Sequence, residues 1–419
     1  MHTLRGLRWW IFALLLAANL VNNLDRQVFA LVAPQLQHEM NWREVDYARM
    51  IGAFQFTFAL MNLGLGRIID RLGTRASLIV AILLFSLAQF AHALVRGPGG
   101  FLAARIGLAI GEAPVYPATL KALAEWAPRE ERGSAAGFVH FGVMLGALVA
   151  PVLIPLLTAT WGWKAGFVVT GMLGLVILGP LFLLLGKPET HPRLTAEERS
   201  LILESRTQAS ETSRIPWLLL FRRREMWVYV AIQAIVNPAW WFLTYWLPKF
   251  LGEVFHIKGL AITPYLSVVF TMASVGALAG GALSGVLLKR GYSLNAARKL
   301  TMLACGVVMP TVVLATQTSS PWLAVSVIGI GAIVHQTWTA TGAAVLADLF
   351  PPRAIASVAG IGSFFGSLAG VLGAEVTGRL LDARPGHYTP MFVYAGLAYL
   401  LALGVVHLLS PRLRPVEAL

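Results

Sequence analysis

The chain has 419 residues, 57% of them hydrophobic and only 13% charged, with a mean hydropathy of +0.69. A soluble domain carries about a quarter charged residues, so this balance excludes an ordinary soluble enzyme and points to many membrane-spanning helices. The net charge of +13 does not argue for nucleic-acid binding, because most Lys and Arg fall in alternate loops and read as membrane topology.

The first apolar run starts after Arg5 and Arg8, covers Trp9 to Leu20, and resumes through Val28 to Leu36. No small-residue cleavage pattern interrupts it, so it reads as a first membrane helix and not as a cleaved signal. Twelve spans are expected, at 8–36, 47–69, 77–95, 99–124, 133–158 and 163–185, then 227–250, 264–288, 299–315, 322–349, 356–381 and 391–409. This predicts an all-α membrane protein of two six-helix bundles, over 1–186 and 225–419, joined by a polar linker over 187–224. The basic loops (Arg67, Arg71 and Arg75; Arg129 and Arg132; Lys289, Arg290, Arg298 and Lys299; Arg412 and Arg414) put both termini in the cytoplasm of a cell-membrane protein. In the linker, Thr195 followed by Glu198 is a capping box for a short surface helix over 196–205, within a segment expected to be solvated. The single cysteine, Cys305, permits no intrachain disulfide. His92 and His407 lie near span ends and read as interfacial, and Glu375 is expected to pair with Arg379 one turn on.

Within the fourth span, the stretch Arg105 to Pro117 places an arginine and a glutamate at membrane depth. Arg105 and Glu112 are seven residues apart, so they share nearly one helix face. A charge there costs roughly 3 kcal/mol on insertion scales and persists where it meets a partner or a watery path. A buried structural ion pair is the plain alternative to a substrate or ion site. The halves also repeat: Ala124-Glu125-Trp126-Ala127-Pro128 recurs as Ala347-Asp348-Leu349-Phe350-Pro351, an offset of 348 − 125 = 223, which sets Glu112 against His335. Two parallel six-helix repeats predict a binding site near the membrane midplane. Small residues four apart, such as Gly142/Gly146 and Gly362/Gly366/Gly370, predict close helix approaches.

The run Gly66-Arg67-Ile68-Ile69-Asp70-Arg71-Leu72-Gly73-Thr74-Arg75 resembles the loop motif of major facilitator superfamily transporters. Asn22-Asn23-Leu24-Asp25-Arg26-Gln27, Arg105 to Lys121, Tyr245-Trp246-Leu247-Pro248-Lys249 and His335-Gln336-Thr337-Trp338 are similar to the anion:cation symporters, particularly the hexuronate branch. The resemblance implies a proton-coupled importer of a sugar acid working by alternating access, with protons as the coupling ion and no metal or other cofactor. It implies that Asp25 and Glu112 bind protons and that Arg26 and Arg105 are their charge partners and anchor the substrate carboxylate. It also implies a conformational latch of Asp70, Arg71 and Arg75, whose second-half counterpart is degenerate, with Gly285 where an Asp is expected. Further candidates for the substrate site are Asn23, Phe58, His140, Trp240, Tyr245, His335, Gln336 and Trp338, the aromatic ones by stacking or equally by plain packing. A planar guanidinium binds a carboxylate through two parallel hydrogen bonds, which suits an organic anion. The expected partners are that anion and the lipid bilayer, with the protein monomeric.

The chain departs from the hexuronate pattern at several polar positions: Asn22-Asn23 before Leu24, Phe58 for a tyrosine, His140-Phe141-Gly142-Val143-Met144 for a polar run, and Ser274 and Thr341 for an Asp and an Asn. Fewer groups remain to pair sugar hydroxyls. The alternative substrate is therefore a less hydroxylated carboxylate, including an aromatic acid. A membrane enzyme or a channel is the rival class, but neither a nucleophile–base motif nor a pore-lining ring is evident.

Overall fold

The computed structural model describes residues 6–128, 131–204 and 217–416. Arg129 and Ser205, the side chains of Arg67 and Arg132, and the packing of Gly133 and Gly280 lie outside the described residues. The described chain is helical. It runs α1 (Leu7–Met40), α2 (Glu44–Leu72), α3 (Thr74–Leu94), α4 (Pro98–Glu112), α5 (Val115–Trp126), α6 (Arg132–Trp161), α7 (Trp163–Leu184) and α8 (Ala196–Glu204). It continues with α9 (Trp217–Phe221), α10 (Arg224–Ala234), α11 (Asn237–Val254), α12 (Thr263–Lys289), α13 (Leu294–Val308), α14 (Pro321–Leu349), α15 (Pro352–Ala383) and α16 (Thr389–Leu409). Ten segments among the described residues are long and apolar enough to cross a membrane. The other two passes are α2, which carries more charge, and the pair α4–α5, interrupted at Ala113–Pro114. Together they make the twelve spans of a multi-pass membrane protein.

Turns are set by local chemistry. Gly73 and Gly162 hold φ of 79° and 77° before α3 and α7, a left-handed backbone that favours glycine. Ser293 and Ser320 cap α13 and α14 by accepting hydrogen bonds from the Ala296 and Leu323 amides at 3.3 and 3.4 Å.

The contacts divide the chain into two compact units, Met1–Val32 with Leu60–Thr212, and Ala33–Ala59 with Ser213–Leu419. In the first, α3 packs on α4 and α7, and Gly142 and Gly146 let α6 approach α1 so closely that a Cβ would meet the Leu16 and Leu20 carbonyls at 2.4 and 2.5 Å. The linker is not simply solvated. The Glu198 amide bonds Thr195 Oγ1 at 3.3 Å, as the capping box predicts, and the buried Glu198 carboxylate accepts from the amides of Leu7 and Arg8 at 3.3 and 3.2 Å. A carboxylate there neutralises the free donors at the start of α1, so α8 is fastened to this unit.

In the second unit, Gly276 seats α12 on α14 and Gly362 seats α15 on α10. Asp382 accepts from the amides of Glu44 and Val45 at 2.7 and 3.2 Å, Glu44 pairs with Lys249, and Tyr47 donates to the Tyr245 carbonyl at 2.9 Å. Glu375 and Arg379 pair at 2.8 Å as expected.

Candidate functional site

The first unit gathers the charged candidates. Glu112 is the last residue of α4, because Pro114 and Pro117 have no amide hydrogens to continue the ladder. Its side chain is fully buried, and the Arg26 guanidinium of α1 reaches Oε2 through Nε at 3.1 Å and Nη2 at 2.9 Å. The other oxygen, Oε1, is buried without a hydrogen-bond partner among the described residues. An ionised carboxylate at a helix C-terminus faces the negative end of the helix dipole, and Arg26 offsets that.

Shared helix face did not make Arg105 the ion-pair partner of Glu112. Arg105 has no exposed surface, and its guanidinium lies over the Phe29 ring at 4.5 Å, where a cation–π contact stabilises it. It remains within electrostatic range of Glu112. Asp25 is wholly buried, beside the Gln89 amide of α3 and the Thr170 hydroxyl of α7. Asn23 is half-buried against Gly146 of α6, while His140 on α6 is exposed.

The second unit gathers the aromatic candidates. His335 of α14 stacks on the half-buried Trp240 of α11 with centroids 4.4 Å apart and planes 2° from parallel. Its Nδ1 lies 2.7 Å from Tyr399 Oη. Trp338 is buried, edge-on to Tyr399 at 5.2 Å, and its indole donates to the Ile232 carbonyl at 3.2 Å. That indole N–H is engaged by the protein itself. Tyr245 is fully buried against Trp241, Phe58 stacks on Phe54, and Gln336 is half-buried.

The latch candidates do not pair with one another. Asp70 is bound by Lys121 of α5 at 2.8 Å, a partner the sequence motif did not suggest. Arg75 donates to the Phe182 carbonyl at 2.6 Å and lies over that ring, and Arg71 is exposed. The second unit keeps a charged junction despite Gly285: Arg298 binds Asp348 at 2.8 Å and also donates to the hydroxyl of Ser284. Arg75 and Arg298 are 298 − 75 = 223 residues apart, as are Glu125 and Asp348. His92, expected at the membrane interface, is instead fully buried, stacked on Phe167 at 4.9 Å and edge-on to Phe101.

Comparison with known proteins agrees with this architecture. The chain is 28% identical over 413 residues to the hexuronate transporter of Escherichia coli K12, a match covering 97% of this chain and 94% of that one. It is 26% identical over 429 residues to a probable galactarate/D-glucarate transporter of Bacillus subtilis, covering 96% and 93%. Its fold matches the crystal structure of a bacterial homologue of the human lysosomal transporter Spinster with a TM-score of 0.80 at 20% identity, over 99% of this chain and 100% of that one. The Major Facilitator Superfamily model matches residues 15–374, so the chain belongs to that superfamily and is a multi-pass membrane transporter, not an enzyme.

Proposed function

We propose that the protein is a proton-coupled symporter that imports an organic anion, a hexuronate or related sugar acid, across the cell membrane by alternating access, with both termini cytoplasmic. The observation that carries this reading is the Arg26–Glu112 pair. A guanidinium bound to a buried carboxylate has two competitors for its charge, the carboxylate and an incoming substrate anion. Substrate binding to Arg26 weakens the hold on Glu112, and a proton on Glu112 then removes the like-charge repulsion. Oε1 gives that proton a place that Arg26 does not occupy. Loading of anion and proton are thereby linked without a metal or other cofactor. Full-length similarity to sugar-acid transporters supports the choice of substrate class.

A second reading, a less hydroxylated carboxylate, is supported by two hydroxyls that are already engaged. Ser274 Oγ bonds the Phe270 carbonyl at 2.9 Å, and Thr341 Oγ1 bonds the Thr337 carbonyl at 2.8 Å. Proteoliposomes decide both points. Uptake of D-glucuronate should require an inwardly directed proton gradient and collapse with a protonophore. A competition series of sugar acids and aromatic acids ranks the substrates. Uptake indifferent to the proton gradient removes symport, and aromatic acids outcompeting hexuronates moves the protein to the second reading.

A further inference from the structure

The first unit contains a polar seam that the substrate chemistry does not use. Ser86, Gln89 and His92 lie three residues apart on α3, so each is about 4.5 Å further along one side of the helix. All three are fully buried. Across from them, Gly171 and Gly174 bring the α7 backbone in: a Cβ at Gly174 would lie 2.2 Å from Ser86 Oγ, and one at Gly171 would lie 3.1 Å from the Gln89 Cβ. Gln89 reaches Asp25, which also meets the Thr170 hydroxyl of α7, while Ser86 Oγ and His92 Nε2 on the same helix are buried without a hydrogen-bond partner among the described residues. Buried polar groups are nearly always satisfied by protein or by internal water, so Ser86 Oγ and His92 Nε2 are the points of the seam where internal water fits.

His92 is oriented for a specific task. Its Nδ1 lies 2.7 Å from the Ala88 carbonyl, which can only accept, so Nδ1 carries the hydrogen and Nε2 keeps a free lone pair. The ring is held by Phe167 of α7 and Phe101 of α4, and Arg105 of α4 is the charged group within electrostatic range. His92 sits two residues from the end of α3 that the loop charge bias assigns to the outside.

We propose that this α3 seam is the proton-loading path for Asp25: His92 takes a proton from the outer side and passes it, past Gln89, to Asp25 within the first unit. The inference rests on the proton-coupled reading above. The outer aqueous phase gives one proton to Nε2. The imidazolium gives it on through water held on the Gln89 amide, a carboxylate oxygen of Asp25 receives it, and His92 returns to its neutral tautomer. The proton thus arrives by a route separate from the anion's, whose anchor Arg26 is the next residue of α1.

The test compares His92→Phe, which preserves ring stacking but has no nitrogen, with Gln89→Leu, in full-length protein in liposomes. Proton-driven uptake of D-glucuronate should fall about tenfold in each and lose its dependence on external pH, while counterflow exchange, which needs no net proton movement, stays within about twofold. A packing role alone would lower counterflow and thermal stability together with uptake. If wild type accumulates substrate against a protonophore-sensitive gradient and both variants match it in rate and pH profile, the seam is overturned while the symport reading stands. If wild type shows no proton-driven accumulation, both fall. Should His92→Phe fail to fold, Gln89→Leu decides alone by the same two rates.

Discussion

The fourth and tenth spans hold equivalent places in the sequence repeat, 335 − 112 = 223 residues apart at Glu112 and His335, yet they are built in opposite ways. In the first unit the span breaks after Glu112 and starts again as α5, whereas α14 runs unbroken for 29 residues. The break leaves a carboxylate at a helix end, where only a fixed positive charge from another helix makes it tolerable. The unbroken helix instead holds its imidazole mid-span by a flat stack on Trp240 and a contact with Tyr399. One unit gathers buried charge and the other gathers stacked rings, at positions one repeat offset apart.

The comparison is most strongly challenged at Arg26. Arg26→Ala should leave Glu112 buried and unpaired, a loss of about 3–5 kcal/mol for a buried ion pair broken on one side. Substrate binding should be abolished as well. Arg26→Lys restores little, since an ammonium lacks the fork that reaches Oε2 through two nitrogens. Arg26→Ala combined with Glu112→Gln should recover most of the thermal stability and none of the binding. Recovery of binding in the double variant, read by thermal shift with added glucuronate, would place the anion anchor elsewhere.

Glu112→Gln alone comes next in size. It imitates the protonated acid, so proton-driven accumulation should fall more than tenfold while counterflow persists at a measurable rate. Undiminished accumulation would make the pair structural and shift proton coupling to Asp25 or His335. Since Asp25 and Glu112 lie within electrostatic range of one another, the two acids need not divide the proton evenly.

His335 sharpens the contrast with a smaller effect. His335→Phe keeps the stack on Trp240 and should leave proton-driven accumulation within about threefold of wild type. His335→Ala forfeits an aromatic pair worth about 0.5–1.5 kcal/mol, so the melting temperature should fall while the Phe variant keeps it. A collapse of accumulation in the Phe variant would show that the second unit also carries a proton.

Much of this was legible in the residues, and the misses have definite causes. Apolar run lengths place ten of the spans among the described residues by length and composition alone, and Thr195 with Glu198 marks the linker helix. The helix-face argument found Arg105 and Glu112 but not the pairing, because spacing along one helix says nothing about Arg26 arriving from another. Position near a span end suggested an interfacial His92. Its burial depends on aromatic side chains of α4 and α7 lying over it, and one of its two ring nitrogens is met locally by the Ala88 carbonyl. Lys121 is 51 residues from Asp70, beyond any spacing rule. The Arg298–Asp348 junction is readable, since both residues stand at the repeat offset from Arg75 and Glu125, although Gly285 interrupts the motif beside it.

Those two junctions give the finest test of how far the units have diverged. Asp70 is 60% exposed and Lys121 32%, so their pair is screened and worth at most about 1 kcal/mol. Arg298 and Asp348 are 13% and 18% exposed, and the Ser284 hydroxyl adds a further contact to the same guanidinium, so solvent screens this junction far less. Asp70→Asn should therefore slow transport by a few-fold, leave equilibrium binding within a few-fold of wild type, and barely move the melting temperature. Asp348→Asn strands a more buried arginine and should cost more in both transport rate and melting temperature. If the Asp70 pair acts as a latch through its charge, exchanging the two residues as Asp70→Lys with Lys121→Asp recovers the rate that either single reversal loses. If the exchange recovers nothing, the Asp70 pair does not act through its charge and the loop motif serves to close the turn at Gly73. If the single variants at Asp70 and Asp348 prove equal, burial does not separate the two junctions.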